Sequence, residues 1–140
     1  MKAFTILACL MLYCTSANAE VPESLAVRAI MGEARGEPFI GKVALAEAIR
    51  NRGHLRGVYG LKVPMSKLNK EPAWVWADAR RAWEESKKTN LTKGASFWEN
   101  TDDFGMPYWS KGMVMTAKIG RHRFFREVDK AHKGNVRKGR

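Results

Sequence analysis

Cysteine is almost absent from this chain of 140 residues: Cys9 and Cys14 are the only two, and both fall within the first fifteen positions. Beyond them neither a disulfide framework nor a cysteine-based zinc site can form. Histidine is scarce as well, with three residues and no His-x-x-x-His spacing, so no catalytic metal and no cofactor is expected. No apolar run approaches the roughly 20 residues of a membrane-spanning helix. Acidic residues are outnumbered, 14 Asp and Glu against 25 Lys and Arg, for a net charge of +11. What is present is an apolar fraction of 45% with five tryptophans, which excludes global disorder. The length suits one domain with a core, and no internal repeat or linker divides it.

The first residues carry an export pattern. Lys2 supplies a short basic start, Ala3 to Cys14 is apolar except for Thr5, and Ala17-Asn18-Ala19 gives a small-x-small cleavage pattern. Residues 1–19 are therefore expected to be a signal peptide, with the mature chain beginning at Glu20 and located in the periplasm or outside the cell. A buried helix or an uncleaved anchor is the alternative, but the apolar run is short for a bilayer. Neither cysteine sits in a lipobox: Cys9 comes too early and bulky Tyr13 precedes Cys14.

Residues 20–126 read as the domain proper. A first helix is predicted over about Pro22 to Arg35, where Pro22 suits a helix start, Glu23 faces the positive end of the dipole, and Gly36 and Pro38 end the run. A second spans about Ile40 to Arg52, with Val43, Ala44, Ala46, Ala48 and Ile49 as a small-residue packing surface. Gly53, Gly57, Gly60 and Pro64 break the following stretch into loop. A third helix fits Pro72 to Lys87, with Trp74, Trp76 and Trp83 expected in or at the edge of the core. After Gly94 one short helical run is expected near Gly112 to Ile119, then a short strand around His122. The tail, residues 127–140, has five basic and two acidic residues and no apolar stripe, and is expected to be disordered.

One carboxylate stands out of pattern. Ala26, Ala29, Ile30 and Glu33 follow i, i+3, i+4, i+7 spacing, so Glu33 occupies a position where the first helix calls for an apolar residue. Burial, and a place in the last helical turn where the dipole disfavours negative charge, both raise a carboxyl pKa. That is the condition for a general acid that holds its proton near neutrality. A structural Glu salt-bridged to Arg28 or Arg35 explains the spacing equally well. Glu37, outside the helix and before Pro38, is expected to be exposed in a capping or supporting role.

The stretch Ala29-Ile30-Met31-Gly32-Glu33-Ala34-Arg35-Gly36-Glu37-Pro38-Phe39-Ile40-Gly41-Lys42-Val43-Ala44 resembles the opening motif of the cell wall hydrolase family of the spore cortex-lytic enzyme (SleB) type. Ala48-Ile49-Arg50-Asn51-Arg52, Gly94-Ala95-Ser96-Phe97-Trp98-Glu99-Asn100, Trp109 and Ile119-Gly120-Arg121-His122-Arg123-Phe124-Phe125 follow in the family's order, so the likeness runs from about Leu25 to Arg126. It implies an α+β, mainly helical, lysozyme-like domain that cleaves peptidoglycan glycan strands with Glu33 as catalytic acid. Met65-Ser66 stands where the family usually carries an aromatic–Ser pair after a Pro or Gly, so the chain departs from the family's pattern at Met65, which weakens any role implied for this loop.

Around Glu33 the candidate substrate-binding residues are Ser66, Phe97, Asn100, Tyr108, Trp109 and His122, with Glu37 and Arg35 as supporting residues. Phe97, Trp98, Tyr108 and Trp109 offer flat apolar faces to sugar rings, and half of them are expected to be core instead. A structural hydrogen bond is the more ordinary fate of His122. Asp102-Asp103 is the nearest acidic cluster that might supply a second carboxylate, although an Asx-turn before Gly105 suits it better.

With a single placed carboxylate, the expected reaction is that of a lytic transglycosylase acting on the bond between N-acetylmuramic acid (MurNAc) and N-acetylglucosamine (GlcNAc), as a monomer. A hydrolytic muramidase with a second carboxylate is the alternative. Basic charge among aromatics also fits a single-strand nucleic-acid platform. An exported chain meets little nucleic acid, however, and the same charge draws an enzyme to anionic envelope polymers.

Overall fold

The computed structural model describes residues 20–129, so the expected signal peptide, residues 1–19, and most of the basic tail lie outside the described residues. The helices are α1 (Glu23–Ala34), α2 (Phe39–Arg52), the single turn α3 (Met65–Leu68), α4 (Ala73–Glu85) and the short α5 (Thr101–Phe104). The strands are β1 (Phe97–Asn100), β2 (Val114–Ile119) and β3 (His122–Arg126), antiparallel in the order β1-β3-β2. Two 3₁₀ turns, Tyr59–Lys62 and Tyr108–Ser110, complete the list. No helix among the described residues is long and apolar enough to cross a membrane.

All five prolines punctuate this order. Pro22, Pro38, Pro64 and Pro72 each immediately precede a helix, and Pro107 precedes the second 3₁₀ turn. A proline ring forbids the interior of a helix but costs nothing where no intrahelical N–H bond is made, and its carbonyl still accepts the first one. Pro22, for example, accepts from both Leu25 and Ala26. At the other end of α2, Gly53 adopts φ +74° and its N–H closes on the Ile49 carbonyl, with Arg50 and Arg52 in the last turn, where the dipole favours cations.

Helix α2 is the central element, buried at every position from Gly41 to Ile49. One side packs with α1 and α4 around Ile30, Met31, Leu45, Ile49 and Trp83; the other meets the sheet through Ala44, Ala48, Ala95 and Phe124. Trp98 on β1 touches both clusters. Two charged residues of α2 are buried with their partners: Lys42 donates to the Glu37 carbonyl at 2.7 Å, and the Glu47 carboxylate accepts from Thr89, Leu91 and Thr92. Those bonds are what make buried charge tolerable and pin the 89–92 loop to the core.

Three expectations are corrected. The segment near Gly112 to Ile119 is strand β2, not a helix. Val114, Thr116 and Ile119 are β-branched, and the turn at Gly120, φ +59°, folds the segment back on β3. Trp74 is 64% exposed, because Val75, Ala79, Ala82 and Trp83 form the inward face of α4 and Trp74 falls outside it. Glu37 is only 7% exposed, since the β2–β3 turn closes over it.

Candidate active site

Glu33 lies one residue from the end of α1, beneath the 3₁₀ turn Tyr59–Lys62. The two backbones meet at glycines. A Cβ on Gly32 would stand 2.0 Å from the Gly60 carbonyl oxygen, and one on Gly60 would stand 2.7 Å from both the Ala29 carbonyl oxygen and Glu33 Cγ. This approach lets the Gly60 N–H donate to Glu33 Oε1 at 2.7 Å.

Burial raises the Glu33 pKa above the ordinary carboxylate value. The Gly60 N–H pulls it back, as do the Trp98 side chain and the Tyr59 backbone more weakly, while the negative charge of Glu99 adds to the rise. No cation forms an ion pair with Glu33 among the described residues. Arg28 donates to the Leu61 carbonyl, and Arg35 bonds the Met31 and Gly32 carbonyls and pairs with Glu71 at 3.2 Å. A salt-bridged helix end is therefore not what Glu33 is.

The cleft over Glu33 has a volume of about 670 Å³ and is lined by Arg52, Tyr59, Phe97, Trp98, Glu99, Trp109 and Met113, with Glu127 and Val128 at its edge. The Trp109 ring packs edge-on to Phe125, centroids 5.4 Å apart, and lies 5.9 Å from Phe97, so one wall is a fixed aromatic surface. The Arg52 guanidinium sits 5.6 Å from the Phe97 ring and 5.5 Å from Trp98, held by the Arg56 carbonyl. Cation–π contact and a fixed hydrogen bond orient it over the cleft.

The candidate residues divide in two. Phe97 and Trp109 line the cleft with Glu33. Asn100 lies with Glu33, Glu37 and Arg35 along a shallower hollow on the other side of the helix end. There the Asn100 side chain accepts from the Asp103 N–H and donates to its carboxylate, capping α5. Ser66 is exposed on α3, and Tyr108 is 85% exposed; neither lines the cleft. His122 is buried on β3 with Nδ1 3.3 Å from Glu37 Oε1, while the Arg121 N–H donates to the same carboxylate at 3.2 Å. Burial pushes the His122 pKa below its ordinary value, against the pull of the Glu37 carboxylate beside it. Asp102 and Asp103 are exposed and pair with Lys118 and Arg121.

Trp98, a candidate for sugar stacking, lines the cleft as well, whereas Tyr59, Gly60 and Glu99 were not singled out from the sequence as site residues. Their proximity comes from β1 and the 3₁₀ turn folding onto the end of α1, a long-range arrangement without a local signature. Among the described residues, no three His, Cys, Asp or Glu side chains gather as a metal site.

No family model matches the chain, and no curated protein matches it either. Among solved structures, the catalytic domain of the Bacillus cereus SleB protein matches with a TM-score of 0.58 at 25% identity, over 74% of this chain and 88% of that domain. The α+β, mainly helical fold is therefore that of a SleB-like catalytic domain, as the sequence motifs implied.

Proposed function

We propose that this protein cleaves the glycan strands of peptidoglycan at the MurNAc–GlcNAc bond, as an exported monomeric lytic transglycosylase. The observation that carries the reading is Glu33: a half-buried carboxyl in an aromatic-walled cleft, without an ion-pair partner among the described residues and with its pKa raised. The likeness to a SleB catalytic domain supports the same substrate class.

In this mechanism protonated Glu33 gives its proton to the glycosidic oxygen. The C1–O bond breaks, its electron pair stays on that oxygen, and the GlcNAc 4-hydroxyl leaves while MurNAc becomes oxocarbenium-like. Ionised Glu33 then accepts the proton of the MurNAc 6-hydroxyl as that oxygen bonds to C1. The product is a 1,6-anhydro ring, and Glu33 ends protonated again. The nucleophile is tethered to the reacting sugar, which favours it over bulk water. Phe97 and Trp109 would stack on sugar rings beside the scissile bond.

A nucleic-acid groove would need cations along its floor. This cleft instead gathers Glu33, Glu99 and Glu127 around the single Arg52. Many of the basic residues lie elsewhere, for example Arg80, Arg81, Lys87 and Lys88 on and after the exposed face of α4, where they suit attraction to anionic envelope polymers.

Digestion of purified peptidoglycan in ¹⁸O-labelled water tests the reaction. The expected fragments end in 1,6-anhydro MurNAc without label. Mostly labelled reducing ends would replace this reading with a hydrolytic muramidase.

A further inference from the structure

Strand β1 carries a second carboxylate into the cleft. Glu99 follows Phe97 by two residues, so both side chains leave the same face of the strand, and both line the cavity that holds Glu33. Its Oε1 accepts the Asn100 N–H at 3.0 Å, which fixes the carboxylate. Directly across the ladder stands Arg123, yet that guanidinium donates to Thr101 Oγ1 instead. Glu99 has no ion-pair partner among the described residues, whereas Asp102 and Asp103, a few positions on, are both paired at the surface.

The charged groups facing the cleft are thus Arg52 from α2, Glu99 from β1, and Glu127 just after β3, all around Glu33. Two half-buried carboxylates in one cavity repel each other whenever both are ionised, and the Glu99 charge accordingly helps to keep the proton on Glu33. The arrangement becomes favourable when positive charge appears between them. An oxocarbenium-like sugar is such a charge, and preorganised opposite charge in a partly dry cleft is among the larger sources of rate enhancement.

We propose that Glu99 is a second catalytic carboxylate, whose negative charge stabilises the positive charge that develops on the sugar when Glu33 protonates the leaving oxygen. The proposal rests on the glycan-cleaving reading above. Glu99 exchanges no proton in this role; Glu33 both gives and takes it, so the anhydro product is unchanged.

The test compares wild type, Glu99→Gln and Glu99→Asp on short soluble glycan fragments, with kcat, KM, pH profile, product mass and thermal melting measured for each. Glu99→Gln is expected to lower kcat on the order of 10²-fold with little change in KM. Its alkaline limb should move to lower pH, because Glu33 loses a repelling neighbour, and Glu99→Asp should recover part of the rate. Near-wild-type kcat with an unmoved limb would overturn the proposal. So would a rate loss that tracks a lower melting temperature without rescue by Asp, which marks a structural residue. Selective loss of ¹⁸O-labelled reducing ends in Glu99→Gln would overturn it in favour of a base that activates water. If Glu33→Gln were fully active, the glycan-cleaving reading itself would fail, whatever Glu99 does.

Discussion

The Gly60 amide donates to Glu33 Oε1 at 2.7 Å, in a contact that exists because neither Gly60 nor Gly32 carries a side chain. The 3₁₀ turn can then rest directly on the backbone of α1. Replacing either glycine by alanine puts a methyl group against backbone atoms that cannot swing aside. Each variant should lose about 1–3 kcal/mol in urea unfolding, the ordinary cost of overpacking, and should also lose activity as the turn moves off Glu33. Gly36→Ala is the control: nothing lies within 4 Å of its would-be Cβ, so stability should stay close to wild type.

The Glu33 carboxyl has a pKa raised by folding, so the folded state holds its proton longer than the unfolded chain does. Its favourable contribution is complete below the unfolded value of about 4.3 and disappears as pH rises through the folded value. Above the unfolded value the unfolded chain gives up this proton more readily than the fold does, which is a stability cost to the fold. Glu33→Gln should therefore melt at a higher temperature than wild type at pH 7, with the difference vanishing near pH 4. Equal melting temperatures across that range would show that Glu33 is not held in a charge-disfavouring site.

Around His122 the sign is opposite. Burial lowers its pKa, so the unfolded chain binds a proton first as pH falls. The stability linked to His122 is present above about pH 6.5 and is lost as pH drops through the folded value. Relative to His122→Gln, wild type should lose melting temperature as pH falls from 7 to 5. An identical slope in both would remove His122 from the account of acid sensitivity.

The main helices and the odd carboxylate were legible because local rules suffice for them. Proline starts, glycine stops and an i, i+3, i+4 stripe outline α1, α2 and α4, and Glu33 interrupts one of those stripes. Strand β2 was less legible: its register slips between Met115 and Ala117, which breaks the two-residue alternation that marks a strand. Burial of Glu37 and recruitment of Glu99 are not local facts. Glu37 is covered by Arg121 and His122, 84 and 85 positions later, and a Cβ on Gly120 would stand 2.1 Å from its carboxylate, so only that glycine turn makes room.

The charge distribution yields another expectation. With a net charge of +11, attraction to intact anionic sacculi should weaken as salt rises through the screening range. Cleavage of short neutral glycan fragments should change far less. Co-sedimentation and fragment turnover on one preparation separate the two effects; equal salt sensitivity would tie the basic surface to the chemical step.

The central claim is that Glu33 supplies the proton for glycosidic cleavage, and its most direct test is the turnover of Glu33→Gln on purified peptidoglycan beside wild type. Gln preserves shape and can still accept the Gly60 N–H but cannot act as an acid. The account predicts a folded protein whose activity falls on the order of 10²-fold or more. Release of fragments at near-wild-type rate by folded Glu33→Gln would contradict it.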